Sequence, residues 1–364
     1  MPVTTKGNLV DKPKLEVLDA LRGFCALVVM LLHLTELTQW KLAPHGYLPV
    51  AYFLTLTGFT FVYAYDARWG EMSVGAFFRR RLLRMHPLVI VASVIGLVAL
   101  CFTPDRLFSF GQGGKPGLWL IFLYCCLMLP APTTWGCIHV LQGQLWTLQY
   151  IYLANILYAL VLRHLRTWML ALLAVAAAAL SYWVGINHHG LEAGWLLKED
   201  HVVIALTRLA FPVLAGMVIA RRGWRIPAGN LALPVTVAVL GAIFFTPHIA
   251  DGLWSGVFDA TVTVVAMPLV LLVAVGGRID NARVASVCRF LGRYSFPLYA
   301  THYPFRTVMM RWIRANPDAP VAHSVAVMAG TAVVMLVFAW AAMKASEAIE
   351  KKLSFTPLRG TRRL

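Results

Sequence analysis

The chain has 364 residues, 59% of them hydrophobic and 13% charged, with a mean hydropathy of +0.70. Soluble globular proteins carry about 25% charged residues, so this composition excludes the soluble domains that the length alone would allow. The net charge of +16 does not signal a nucleic-acid partner either, because the cations lie between apolar runs and form no basic–aromatic stripe, as charge that orients a protein in a membrane does.

Apolar runs of about 20 residues recur from end to end, each suited to a helix crossing the hydrocarbon core of a bilayer. The expected fold is therefore all-α and polytopic, with ten crossings at 18–36, 47–65, 86–104, 146–163, 168–185, 202–220, 230–247, 258–276, 295–312 and 323–343. The first run holds Asp19, Arg22 and His33, and no small-x-small site follows it, so a retained span is expected in place of a cleaved leader. The short run 117–131 (GLWLIFLYCCLMLPA) reads either as an eleventh crossing or as a re-entrant piece. Charge favours the latter. With ten crossings and a cytoplasmic amino terminus, only Lys41, Arg106, Lys115, Lys198, Arg311 and Arg314 face outward and only Arg22, Arg208 and Arg306 lie within spans. All other Lys and Arg then face the cytoplasm. The expectation is one domain over 1–364, in a multi-pass protein of the plasma (inner) membrane with both termini, about 1–15 and 347–364, cytoplasmic. The connection 105–145 is Gly- and Pro-rich and suits a lid or rim. The six cysteines show no metal-ligand spacing, so neither a metal site nor a disulfide framework is expected.

Ionisable residues inside a span cost a few kcal/mol each on insertion scales and mark function. In the first span Arg22 and His33 are separated by 11 positions, within about 20° of whole helical turns, and so share a face about 16 Å apart along the axis. Asp19 and Glu36 fall on the same side, giving one polar stripe on an otherwise apolar helix. In 295–312, His302 and Arg306 are four apart with Tyr299 one turn before, and Pro297 and Pro304 are expected to break the helix. Arg79, Arg80, Arg81 and Arg84 form a dense cluster in FFRRRLLRMHPL (77–88), a fork of guanidinium groups suited to a phosphate-rich ligand such as coenzyme A. Gln144, Trp146, Gln149, Tyr150 and Tyr152 give 146–163 a polar-aromatic start of the kind found at a sugar-binding rim.

Five segments, in order, resemble motifs of the integral-membrane acyltransferase 3 family. LDALRGFCALVVMLLH (18–33) resembles its opening motif, an Arg, ten residues and a His. YFLTLTGFTFVYAYDARWG (52–70) resembles its F-F-x-L-S-G-F segment, RRLLRMHP (80–87) its Arg-rich stretch, LWTLQYIYLANILY (145–158) its W-S/T-L motif and LGRYSFPLYATHYPF (291–305) its L-G-x-x-S-x-x-L-Y-x-x-H-x-P motif. The resemblance implies a ten-helix membrane body. It also implies transfer of an acyl group, usually acetyl from acetyl-CoA, to a hydroxyl of a carbohydrate or lipid-linked glycan. Acyl-CoA is then a donor substrate and no cofactor is permanently bound. On the same footing His33 is the base that deprotonates the acceptor, Arg22 orients the donor, and Arg80, Arg81 and Arg84 meet its phosphates. Asp19, Glu36, Trp146, Tyr299, His302 and Arg306 complete the substrate- and donor-binding surface. The sequence departs from the pattern at Thr57 (Ser in the family), at Ala51 (often Asp) and at Ile151, where a Glu usually follows the Trp by five residues. Asp19, Glu36 and Asp259 are the acids that could stand in for it. Two rival readings of the same stripes are a transporter or flippase of acyl groups or glycolipids, and an acyltransferase-like partner subunit without activity.

Overall fold

The computed structural model of the protein describes residues 15–36, 38, 40–102, 117–135 and 137–354. Among these residues there are helices and connections but no β-strand. The helices are α1 (Glu16–Thr35), α2 (Pro49–Tyr65), α3 (Val74–Cys101), α4 (Leu118–Cys126), α5 (Trp146–Leu160) and α6 (Thr167–Asn187). They continue with α7 (Glu199–Arg222), α8 (Ala232–Phe244), α9 (Gly252–Val275, with a π turn over Val262–Ala266), α10 (Ala282–Thr301), α11 (Tyr303–Ala315) and α12 (Val321–Ser354). Local chemistry sets several ends. The Ser73, Asp251 and Asn281 side chains accept from backbone N–H groups in the first turns of α3, α9 and α10, and Gly223, at φ 65°, closes α7 in the left-handed conformation.

Six described helices, α1, α3, α6, α7, α9 and Val321–Ile349 of α12, are long and apolar enough to cross a bilayer, where ten crossings were expected. The four other runs are shorter or interrupted and fall below that measure of length and composition. α2, α5 and α8 have 17, 15 and 13 residues, and 17 residues rise only about 25 Å against a core of about 30 Å. The run 295–312 is divided between α10 and α11, and α10 carries Arg283, Arg289 and Arg293 before that run begins. The helix passes straight through Pro297, contrary to expectation. The break falls at His302, with Pro304 in the first turn of α11, where its missing N–H is least costly. α4 has nine residues, about 13 Å, shorter than the hydrocarbon core, and packs against the end of α3 through Ile121, Cys125 and Leu100.

Contacts between connections sort into two groups. At one end Arg221 donates to Asp66 (2.8 Å), to the Leu165 carbonyl (2.5 Å) and to the Arg163 carbonyl (3.0 Å), while Asn230 donates to Asp280 (2.8 Å). At the other, His45 N–H donates to the Phe244 carbonyl (3.3 Å), Ile138 N–H to the Trp195 carbonyl (2.7 Å), and Arg311 to the Phe102 carbonyl. These pairs join the connections that the charge pattern assigns to one face each.

Helix packing rests on close backbone approach. A Cβ at Gly216 would stand 2.0 Å from the Thr55 carbonyl oxygen, and one at Gly58 2.0 Å from that of Val213. α2 and α7 therefore touch backbone to backbone, as small residues permit in a bilayer. Gly185 and Gly256 do the same for α6 and α9. Because a carbonyl cannot rotate away as a side chain can, Gly216→Ala is expected to lower stability by about 1–3 kcal/mol, read as a lower thermal midpoint of the detergent-solubilised protein.

Candidate functional site: two abutting cavities

The polar stripe of α1 opens on two cavities. One, of about 620 Å³, is lined by His33, Glu36, Tyr47, Trp135, Trp146, Glu192, Trp195, Arg208, Tyr303 and Arg306. The other, of about 840 Å³, is lined by Asp19, Arg22, Arg79, Arg80, Arg81, Arg84, Ile151 and Arg293. Val50, Thr147 and Tyr299 line both. The helical periodicity that puts Arg22 and His33 on one face thus delivers them to different chambers.

In the histidine cavity His33 Nδ1 lies 3.1 Å from a Glu36 oxygen, and Arg306 pairs with the other Glu36 oxygen. A carboxylate can only accept, so Nδ1 carries the proton and Nε2 keeps the basic lone pair. The His33 ring stacks on His302, with centroids 5.3 Å apart and planes at 26°, and meets the Tyr303 ring edge-on at 5.2 Å. His302 is fully buried and lines neither cavity. Its Nδ1 sits 3.0 Å from the carbonyls of Leu298 and Tyr299, so it backs His33 without facing a ligand. Pro304 has no N–H for the Ala300 carbonyl, and Gln144 Nε2 supplies that hydrogen bond from α5's entry at 3.1 Å.

The far wall of the same cavity escaped sequence reasoning. Buried Arg208 donates to the carbonyls of Ala193 (3.2 Å) and Tyr47 (3.0 Å) and lies 5.2 Å from the Trp146 ring centre. Tyr47 Oη donates to Asp259 (2.7 Å), which also accepts the Leu191 N–H (2.8 Å). Glu192 is exposed to the cavity, but desolvation by the protein packed around it raises its carboxyl to about 7, against the pull of Arg208. It sits in a connection with no periodicity to flag it, whereas the intramembrane Arg208 and Asp259 were visible signals without partners assigned.

In the arginine cavity Asp19 pairs with Arg22 (3.4 Å) and is seated over Gly292, where a Cβ would stand 2.4 Å from its carboxylate. Arg81 Nε donates to Asn155 Oδ1 (2.6 Å), and Arg293 pairs with Glu347 (3.4 Å). Arg79 and Arg84 form no ion pair among the described residues. Ile151 lines this chamber, away from His33. Of the three acids named from the sequence, Glu36 pairs with His33 and Arg306, Asp19 with Arg22, and Asp259 with Tyr47.

An all-α membrane protein with a carboxylate-oriented histidine in one chamber and clustered arginines in the next has the parts for group transfer between two ligands. Residues 15–343 match the acyltransferase domain that defines the acyltransferase 3 family, and the chain belongs to that family of membrane acyltransferases. No curated protein and no solved structure matches it. Glu36→Gln keeps the size of the side chain but removes the charge that holds the His33 tautomer. It is expected to lower kcat for acyl transfer by about 10²–10⁴-fold, as loss of an orienting carboxylate does elsewhere, with KM for the donor little changed. Steady-state kinetics on folded protein of normal thermal midpoint check this.

Proposed function

We propose that this protein transfers an acyl group, acetyl in the first instance, from acyl-CoA to a hydroxyl of a carbohydrate or lipid-linked glycan. The observation that carries the reading is the abutment of two chemically opposite chambers at Val50, Thr147 and Tyr299. Unpaired guanidinium groups suit the phosphates of coenzyme A, and the Trp135, Trp146 and Trp195 rings beside Glu192 and Arg208 suit the apolar faces and hydroxyls of a sugar. The donor's pantetheine arm runs along the α1 stripe, bringing the thioester to the junction on the way to His33, which lies about 16 Å along the helix axis from Arg22.

His33 Nε2 accepts the acceptor's hydroxyl proton as that oxygen attacks the thioester carbonyl carbon. The C–S bond then breaks, and the proton held by His33 passes to the departing coenzyme A sulfur. General base catalysis of this kind contributes typically about 10²–10⁴-fold. His33→Ala and His33→Gln are both expected to abolish most transfer while the protein remains inserted and folded, measured with labelled acetyl-CoA on purified protein in nanodiscs. Near-normal transfer by either variant would reject His33 as the base, and absence of any acyl chemistry in the wild type would favour a transporter or a silent partner subunit.

The arginine chamber is assigned to the cytoplasmic side, because the cation-rich connections gather at that end. Arg80→Gln with Arg84→Gln is expected to raise KM for acyl-CoA by about tenfold or more with kcat less affected, since each charge-assisted hydrogen bond lost is worth about 1.5–3 kcal/mol. In a cysteine-free background, single cysteines at position 188 and position 222 are expected to label from outside and from the cytoplasm respectively. External labelling at 222 would invert the assignment.

A further inference from the structure

The residues that line both chambers form the partition that an acyl group must cross. Val50, Thr147 and Tyr299 are each buried, none exposing more than 9% of its surface. Tyr299 Oη lies 2.5 Å from Thr147 Oγ1, and both hydroxyls also reach the Gln144 carbonyl at 3.1 Å. Two hydroxyls and one carbonyl contain only two protons. One goes to the carbonyl and the other closes the hydroxyl pair, so the set is saturated and the side chains are held together. The Phe53 ring meets the Tyr299 ring at 5.8 Å, near edge-on, and supports it from α2.

We propose that Val50, Thr147 and Tyr299 form a throat that measures the acyl group and admits only short chains, making Val50 and Thr147 specificity-determining residues. The inference rests on the acyl-CoA reading above and adds the class of acyl group. The arginine chamber has room for a long donor, but everything attached to the thioester carbonyl must pass the partition to reach an oxygen activated by His33. Val50 presents two methyls and Thr147 one methyl at a place where Tyr299 is fixed by its hydrogen bonds. An acetyl methyl needs little space there, and each added methylene meets packed atoms. In a close-fitting apolar site one methylene changes discrimination by about 10–200-fold.

The test uses the full-length protein in nanodiscs and a series of acyl-CoA donors from acetyl to hexanoyl, with release of free coenzyme A and acyl transfer as readouts. The wild type is expected to favour acetyl over butanoyl by at least about a hundredfold in kcat/KM. Val50→Ala and Thr147→Ser, the latter keeping the hydroxyl pair, are each expected to raise the butanoyl-to-acetyl ratio about tenfold. Val50→Ile is expected to lower the propanoyl-to-acetyl ratio. Because each result is a ratio within one protein, partial loss of fold or insertion does not imitate it. Equal use of acetyl and hexanoyl donors by the wild type, or a ratio unmoved in all three variants, would overturn the throat and leave the donor reading intact. No reaction of the wild type with any member of the series, acetyl-CoA included, would overturn the donor reading and the throat with it.

Discussion

A charged side chain among hydrocarbon is costly, about 2.5–3.5 kcal/mol at a helix centre on insertion scales, and this constraint organises the molecule. The ionisable groups on and just after α1 are met by partners one turn away on the same segment or on a helix packed against it. Asp19 takes Arg22, His33 takes Glu36, and Glu36 takes Arg306 from α11. Arg208 on α7 uses backbone carbonyls of two separate connections. These pairs lie along the walls of open chambers, where water and ligand share the cost of solvation, and the lipid-facing flanks of α6 and α12 are left to exposed Leu, Val, Phe and Trp.

The same constraint explains how a helix can be interrupted beside His33. Ending α10 at His302 and restarting at Pro304 strands carbonyl groups that a bilayer could not satisfy. His302 turns its own Nδ1 back onto two of them, and Gln144 reaches across from another segment to the Ala300 carbonyl. Just past the interruption, Tyr303 and Arg306 reach His33 and its Glu36 partner.

Division of the polar interior into two chambers keeps unlike chemistry apart. Arg79, Arg80, Arg81 and Arg84 stand in one, and His33 with its Glu36 partner stands in the other. Were the two merged, Arg79, Arg80 and Arg84 would join Arg306 and His33 around the one Glu36 carboxylate. A thin, buried partition meets both needs, separating the charges while leaving a short path for a small group.

Composition and the 3.6-residue period were sufficient for the class of protein and for the α1 stripe. A helix places residues 22 and 33 on one face whatever surrounds it, and apolar runs of that length leave no soluble alternative. The resemblance to the family, carried by five short motifs, was matched over residues 15–343. The same period put Glu36 one turn beyond His33, where the two meet; tertiary structure alone brought Arg306 to that carboxylate and Tyr47 to Asp259. It alone placed Thr147 against Tyr299, 152 residues away in sequence, drew Glu192 from a connection into the chamber, and put the helix break at His302 instead of Pro297. Periodicity is a property of one helix, whereas these outcomes depend on which helices touch and how closely. That is set by backbone contacts at glycines such as Gly58, Gly216 and Gly292, whose partners a single helix cannot specify.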